Sequence, residues 1–278
     1  MQNIKNKSFM TNILYRYPVI LTLAVFLTCC TSRRASTTEV LDSSSPFQLA
    51  FDSITISDSA VVGPMAVAYI DIRCLFPSSP SSPVVDSLTL WTTRILADTI
   101  VRPTTAVETA RKRASIQLSS DSSEIRSILS YAERPADSRI VYQRDIDIRP
   151  IYADSSYITL QATIYDYTAG AHGSTTLLPQ TFNLADGTRV SLSALLPTLS
   201  ADAISDSIHT GLMRYFEVPE DNPQRLRELL FVDRDAPIPM PQTQPYLTSE
   251  GVVFLYQQYE IGPYAAGMPK VTIKYNPK

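Results

Sequence analysis

The sequence predicts an α+β fold: mostly antiparallel sheets with packed helices, preceded by a signal peptide and a flexible tether. Three observations predict this class. Residues 66–76 (AVAYIDIRCLF) alternate apolar and polar side chains, which is the period of a half-buried strand. In the segment that follows, apolar side chains recur at helical spacing, at Val84, Leu88, Trp91 and Ile95. Strands and helices fall in separate runs along the chain, which indicates α+β rather than a parallel α/β sheet.

The N-terminus has the organisation of a bacterial lipoprotein signal. A basic stretch precedes an apolar run at residues 18–28 (PVILTLAVFLT), which is shorter than the about 20 residues that a membrane-spanning helix needs. The next residues, LTCC, resemble a lipobox with Cys30 as the lipidated residue and residues 1–29 as the cleaved signal peptide. Cys29 stands where Gly, Ala or Ser is usual, so which of the two cysteines is lipidated stays open. A plain secretory signal and an uncleaved anchor are the alternatives.

Charge and cysteine content narrow the possible functions. The formal net charge is −3, and removing residues 1–29 with their three basic groups makes it −6 (−3 − 3). This balance does not favour binding of nucleic acid, and contact with a membrane is expected through the lipid anchor only. Beyond Cys29 and Cys30 the chain has only Cys74, so no disulfide is expected in the mature domain. Cys74 is predicted to be a small buried apolar side chain.

The mature chain is predicted to consist of a tether and two folded halves. Residues 30–46 are rich in Ser and Thr and poor in apolar side chains, so they are expected to form the flexible tether. Residues 47–152 form the predicted N-terminal α+β half, and residues 153–278 form the predicted C-terminal α+β domain.

Two predicted helices follow the first strands of the N-terminal half. Ser82 and Pro83 have the residue types of an N-cap and a first helical position. The second helix is predicted over 105–131, where a capping box begins it, with a break at 119–123.

Hairpins and helices alternate in the rest of the chain. The predicted elements, in order, are a hairpin of 139–152 and 157–167, a hairpin of 176–184 and 189–192 around the Asp186–Gly187 turn, helices at 199–216 and 222–231, a proline-rich connector at 237–245, and two strands, a structured loop and a last strand in 246–275.

The segment YDYTAGAHGS (165–174) is the strongest candidate for chemistry, because it contains His172, one of only two histidines. No nucleophile elbow accompanies it, and Ser174 is too close in sequence to form a catalytic pair. The other histidine, His209, lies 37 residues away (209 − 172), and no H-E-x-x-H or C-x-x-C pair occurs, so neither a metal nor a cofactor is expected. Asp166 is predicted to be a partly buried carboxylate with a structural partner, such as a loop amide or a tyrosine hydroxyl. An active-site acid is the alternative for Asp166.

The loop itself is predicted to have a structural role. Gly170 and Gly173 are expected to supply backbone angles that other residues avoid, such as φ > 0. His172 is expected to hydrogen-bond within the loop or to a neighbouring strand, with one ring nitrogen as donor and the other as acceptor.

Two blocks of the sequence resemble the RsiV/PdaC-like extracytoplasmic domain family (domain of unknown function 3298, with an upstream half similar to domain of unknown function 4163). YDYTAGAHGS fits its Y-x-Y-x-x-G-A-H-G pattern, and YQQYEIGPYAAG (256–267) is similar to its final block, with Gly262 where alanine is usual. The resemblance covers 153–275, whereas 47–152 resembles the family's upstream half in layout only. The structural motif residues by this resemblance are Tyr165, Tyr167, Gly170, Gly173 and Gly267.

The resemblance implies a binding or sensing module, held by its lipid at the bacterial outer membrane or cell envelope, on the periplasmic or the surface side. Family members include the sensor of an anti-sigma factor that recognises lysozyme and a module that precedes a polysaccharide deacetylase domain. The implied ligand is therefore a cell-wall glycan such as peptidoglycan, or a protein such as lysozyme. We expect the loop at 165–174 to form one wall of a binding surface whose other wall is 259–267. The ligand-binding candidates are His172, Tyr259, Glu260, Pro263 and Tyr264.

An enzyme is not expected, because no complete catalytic motif occurs. The alternative hypothesis is a cell-envelope hydrolase that uses a carboxylate or His172. It requires His172 to lie in an open pocket beside another ionisable group.

Overall fold

The computed structural model describes residues 49–98, 104–131, 139–233 and 236–275. Helices and largely antiparallel sheets make up this part of the chain, which confirms the predicted α+β class. The predicted signal peptide, the tether and the lipidation site at Cys30 lie outside the described residues. Within the described ranges, no helix has the length and apolar character needed to cross a membrane.

A five-stranded sheet forms the larger layer of the fold. Its strands are β1 (Phe51–Gly63), β2 (Ala66–Pro77), β3 (Ile140–Ala153), β4 (Tyr157–Thr168) and β5 (Ser174–Asn183). Their order in the sheet is their order in the chain, and all neighbours are antiparallel except β2 and β3, which are parallel. Parallel neighbours need a long crossover connection, and this one contains α1 (Pro83–Ala97) and α2 (Ala106–Tyr131).

The two helices cover the apolar face of this sheet. The four side chains of β2 that the alternation placed on one face are all buried: Ala68, Ile70, Ile72 and Cys74. Burial raises the pKa of the Cys74 thiol to about 12, so this thiol stays neutral and acts as a packing group, as predicted.

The predicted cap of α1 forms, but the predicted break in α2 is wrong. The Ser82 hydroxyl accepts a hydrogen bond from the Val85 N–H at 3.4 Å, directly before α1. In α2 the serine-rich stretch at 119–123 stays helical. Asp121 lies there with only 1 % of its surface exposed and forms an ion pair with Arg144 on β3. This tertiary contact outweighs the weak helix propensity of the serines.

A second, smaller sheet follows in the chain. Its antiparallel strands are β6 (Tyr246–Thr248), β7 (Gly251–Leu255) and β8 (Lys270–Ile273), in that order, and the accompanying helices are α3 (Leu192–Leu195), α4 (Ala201–Tyr215) and α5 (Gln224–Leu229). Strand β6 joins this sheet to the first one. The Leu247 N–H donates to the Thr181 hydroxyl at 2.9 Å, and the Leu247 carbonyl accepts from the Thr159 hydroxyl at 2.7 Å.

The predicted second hairpin is reduced to a single bridge between Phe182 and Arg189. Its turn forms as predicted: Gly187 has a φ of 71° and lies against the start of α1, where a Cβ would be 2.6 Å from the carbonyl carbon of Pro83. The returning residues do not continue as a strand because the Ser191 hydroxyl accepts from the Ala194 N–H at 3.3 Å and starts α3.

The hydrophobic core consists mainly of two clusters. One extends along the chain from Phe51 to Leu184 and the other from Leu195 to Val271. The domain boundary predicted at 152/153 lies within the β3–β4 hairpin, where Ala153 pairs with Ile158.

Candidate functional site: a histidine–tyrosine cluster

Two loops that are distant in sequence meet at one exposed group of aromatic rings. His172 lies between β4 and β5, and Tyr259 and Tyr264 lie between β7 and β8. The His172 ring stacks on Tyr264 with a centroid distance of 3.6 Å and an interplanar angle of 17°. The Tyr259 ring lies 6.2 Å from His172 and 5.8 Å from Tyr264, and 52 % of Tyr259 is exposed. We call these three residues the histidine–tyrosine cluster.

Hydrogen bonds engage both ring nitrogens of His172. Its Nδ1 lies 3.0 Å from the Gly173 carbonyl, and its Nε2 lies 3.0 Å from the Tyr259 hydroxyl. Because a carbonyl oxygen can only accept, Nδ1 carries a hydrogen and donates to Gly173, while Nε2 pairs with the Tyr259 hydroxyl. Both ring nitrogens are therefore engaged, as the predicted structural role of His172 requires. Neither partner is a carboxylate that would orient a catalytic base.

Gly173 leaves room for a neighbouring side chain and does not supply a positive φ. A Cβ at Gly173 would lie less than 3.0 Å from three atoms of the Tyr165 side chain, which packs against the loop. At Gly170 the nearest atom would be 4.0 Å away. Positive φ occurs at neither glycine but at Ala169, with 56°. The expectation that both glycines supply φ > 0 is wrong.

The second loop holds its tyrosines by backbone geometry and by a carboxylate. Tyr259 has a φ of 66°, in the left-handed region. The Glu260 carboxylate accepts from the N–H groups of Gln257 at 2.7 Å and Gln242 at 2.6 Å, so it fixes the loop. Pro263, with φ −65°, leads into a short 3₁₀ helix that begins with Tyr264. Gly267, with a φ of 67°, follows the end of that 3₁₀ helix.

Two glutamines join the second loop to the edge strand β5. The side-chain carbonyl of Gln258 accepts from the Thr175 N–H at 2.8 Å, and the side-chain carbonyl of Gln257 accepts from the Leu177 N–H at 3.1 Å. The Gln257 amide also donates to the Leu177 carbonyl at 2.7 Å. Pro179, at the next outward position of β5, has no N–H to satisfy. The glutamine side chains thus take the place of a further strand and hold the two loops together.

Other residues of the 165–174 segment serve the sheet. Tyr167 pairs with Gln143 in the β3–β4 ladder. Asp166 accepts from the Arg144 Nη1 at 2.8 Å, so its partner is a guanidinium and neither a loop amide nor a tyrosine hydroxyl. The same guanidinium makes two hydrogen bonds to Asp121, at 2.8 and 3.1 Å, and these carboxylates raise the pKa of Arg144. This network ties α2 to the sheet.

Sequence reasoning missed both the glutamine bridge and the Arg144 network. Gln257 and Gln258 stand between two tyrosines of the final block, where side-chain pairing to a distant strand has no local signal. A weaker signal existed for Asp121, since an acidic residue in the middle of a serine-rich helix needs a partner if it is buried. Over the described ranges, no group of three or more His, Cys, Asp or Glu side chains could hold a metal ion.

Part of this site lies in a segment that matches a described family model. Residues 196–276 match the family model described as "Protein of unknown function (DUF3298)", a segment that includes Tyr259 and Tyr264 but not His172. None of the curated proteins matches the chain significantly.

Two similar solved structures come from the same family. A DUF3298 family member from Bacteroides fragilis is 18 % identical with a TM-score of 0.65, and the match covers 82 % of this chain and 90 % of that one. A DUF3298 family protein from Pseudomonas aeruginosa is 15 % identical with a TM-score of 0.48, over 81 % of this chain and 90 % of that one. The chain therefore contains, at residues 196–276, a segment that matches the DUF3298 family model, within a fold similar to that of the Bacteroides fragilis protein.

Proposed function

We propose that this protein is an extracytoplasmic, lipid-anchored binding module that binds cell-wall glycan at the histidine–tyrosine cluster. The observation that supports this most strongly is the exposed, stacked arrangement of His172, Tyr259 and Tyr264 on two loops joined by side-chain hydrogen bonds. Aromatic rings combine apolar area with polar edges, and both suit a pyranose ring, which has an apolar face and hydroxyls around it.

The fixed geometry of the cluster favours binding. Tyr264 is stacked by His172, and the Tyr259 hydroxyl is hydrogen-bonded to the same imidazole, so neither ring has to be ordered by a ligand. A preorganised site avoids the cost of about 0.5–1.5 kcal/mol for each side chain that binding immobilises. A hydrolase at His172 receives no such support, because both of its ring nitrogens are already engaged by Gly173 and Tyr259.

The location is part of the proposal and rests on the N-terminal sequence. Residues 18–28 and the LTCC that follows predict a lipid at Cys30, and the Ser/Thr-rich residues 31–46 would hold the domain away from the membrane. Metabolic labelling with a fatty-acid analogue tests this. We expect Cys30→Ser to abolish the label and Cys29→Ser to retain it; the opposite pattern would move the anchor to Cys29.

The binding test uses the mature chain from residue 30 with Cys30→Ser. We expect it to sediment with purified peptidoglycan sacculi and to bind soluble muropeptides in calorimetric titration. Tyr264→Ala should weaken this binding about tenfold, since it removes the ring that stacks on His172. The matched control is Tyr131→Ala, which removes a tyrosine that is 87 % exposed at the end of α2.

The two variants separate specific from general effects. If Tyr264→Ala binds sacculi as strongly as the control variant does, the cluster is not the glycan site. Lysozyme, titrated in parallel, tests the alternative ligand. Binding of lysozyme without binding of glycan would replace the glycan proposal with a protein-ligand one.

A further inference from the structure

The outer edge of the second sheet exposes backbone groups that no described residue pairs. Strand β8 is the edge strand. Leu247 on β6 directs its backbone N–H and carbonyl to the first sheet, away from β7. In this antiparallel pair its partner Val252 therefore directs its own N–H and carbonyl away from β6, toward β8. Antiparallel pairs alternate, so Lys270 and Thr272 must direct their N–H and carbonyl groups outward. Within the described ranges, no hydrogen bond reaches these outward groups.

A groove runs along this edge between β8 and α4. Its volume is about 640 Å³, and Thr210 and Arg214 of α4 line it together with Lys270 and Thr272. The Tyr215 hydroxyl donates to the Ala266 carbonyl at 2.9 Å, which places the C-terminal end of α4 beside the start of β8.

This geometry gives the groove a basic end. Arg214 and Lys270 both lie near the start of β8. Asp206 is eight residues earlier on α4 (214 − 206), about 12 Å away along the helix axis, and therefore lies toward the other end.

We propose that the β8 edge binds an extended peptide segment with an acidic side chain, which adds to the second sheet as a further strand. The outward N–H and carbonyl of the exposed Thr272 are available to pair with the backbone of an added strand. The cations Arg214 and Lys270 select an acidic residue at their end of the groove. A second copy of this chain fits less well, because antiparallel pairing centred on Thr272 would place Lys270 opposite the partner's Lys274. This site is separate from the histidine–tyrosine cluster and does not rest on the glycan proposal.

The proposal can be tested with a defined probe, acetyl-Glu-Val-Thr-Val-Thr-Val-amide, titrated into ¹⁵N-labelled mature chain. We expect chemical-shift changes along 270–273 and on the groove face of α4, with slower hydrogen exchange of the Thr272 amide. The same peptide with Lys in place of Glu should bind about fivefold more weakly.

Substitutions at one position separate backbone pairing from side-chain contact. Thr272→Pro removes the outward N–H without removing a ladder hydrogen bond, so the domain should fold and peptide binding should be lost. Thr272→Val keeps the N–H and a similar shape, so binding should be retained. Arg214→Glu should weaken binding of the Glu peptide and strengthen binding of the Lys peptide.

Each contrary result overturns the proposal. It fails if the peptide causes no shifts at 270–273, if folded Thr272→Pro binds as well as Thr272→Val, or if the Lys peptide binds as tightly as the Glu peptide. A wild-type dimer that becomes monomeric in Thr272→Pro would assign the edge to a second copy. Tyr264→Ala should leave peptide binding unchanged, because Tyr264 belongs to the histidine–tyrosine cluster. A failure of the glycan proposal can therefore be distinguished from a failure of the peptide proposal.

Discussion

Gly211 on α4 allows a close approach of this helix to β8, and Gly211→Ala should destabilise the fold. A Cβ at this position would lie 2.7 Å from Cγ2 of Val271 on β8 and 3.0 Å from its Cβ, and still closer to Cγ1. In an exposed helix the same substitution would add about 1 kcal/mol of stability, because alanine is the better helix former. The sign of the effect therefore reports the packing against β8.

The magnitude follows from the distances. Carbon atoms pack at about 3.5–4.0 Å, so α4 would have to move outward by about 1 Å. Val271 cannot rotate away, since its two methyl groups and its Cβ all lie within 3.0 Å of the new atom. An outward shift of about 1 Å would remove up to half of the dispersion energy between α4 and the side chains it packs against. We therefore expect an overpacking cost near the upper end of the usual range of about 1–3 kcal/mol. After the helix-propensity gain, we expect a net loss of about 2 kcal/mol.

Urea unfolding followed by circular dichroism at 222 nm measures this loss. Val271→Ala alone should cost about 2 kcal/mol, because it removes two buried methyl groups. In the double variant the methyl group introduced at position 211 fills part of that space. The loss of unfolding free energy in the double variant should therefore be smaller than the sum of the two single losses by at least about 1 kcal/mol. Thr210→Ala, at an exposed neighbouring position, is the control and should change stability by less than about 0.5 kcal/mol. A stabilised Gly211→Ala, or strict additivity in the double variant, would refute the packing argument.

Three further outcomes are expected. Gly173→Ala should cost about 0.5–1.5 kcal/mol of unfolding free energy, because the end of the Tyr165 side chain has to shift, whereas Gly170→Ala, which has open space, should be nearly neutral; equal effects in urea melts would contradict the packing argument for the loop. Asp121→Ala leaves the largely buried Arg144 with only one of its two carboxylate partners, and we expect a loss of about 2–3 kcal/mol in the same assay. Burial raises the pKa of Cys74 to about 12 in the folded protein, above the ordinary thiol value of 9.0. The contribution of the neutral thiol to the free energy of unfolding is therefore complete below pH 9.0 and is lost as the pH rises toward 12. A thiol reagent at pH 8 should therefore label Cys74 only in urea, and rapid labelling of the native protein would show that it is accessible.

Local patterns predicted the elements well, and tertiary contacts account for the errors. Alternation identified the buried face of β2, and the residue types at 82–83 identified the start of α1. The break in α2 at 119–123 was wrong because Asp121 is held by Arg144, a residue 23 positions later in the chain (144 − 121). No pattern within α2 contains that information.

The glycines show a second kind of limit. A glycine in a turn-like sequence suggests positive φ, yet in the 165–174 segment Ala169 takes that angle. At Gly173 the end of the Tyr165 side chain occupies the space that a Cβ would take. Sequence can show that a side chain is missing, but it cannot show whether the backbone angle or a neighbouring group requires its absence.

The histidine–tyrosine cluster shows which part of a site sequence can predict. Both loops were predicted to face each other, and the structure stacks His172 on Tyr264. Their relative position depends on Gln257 and Gln258, which bond to the backbone of a strand about 80 residues earlier in the chain. Such bonds leave no periodicity, since any polar side chain of the right length could make them. The residues of the surface were therefore predictable from their types, whereas the contacts that hold its two walls together depend on the folded sheet.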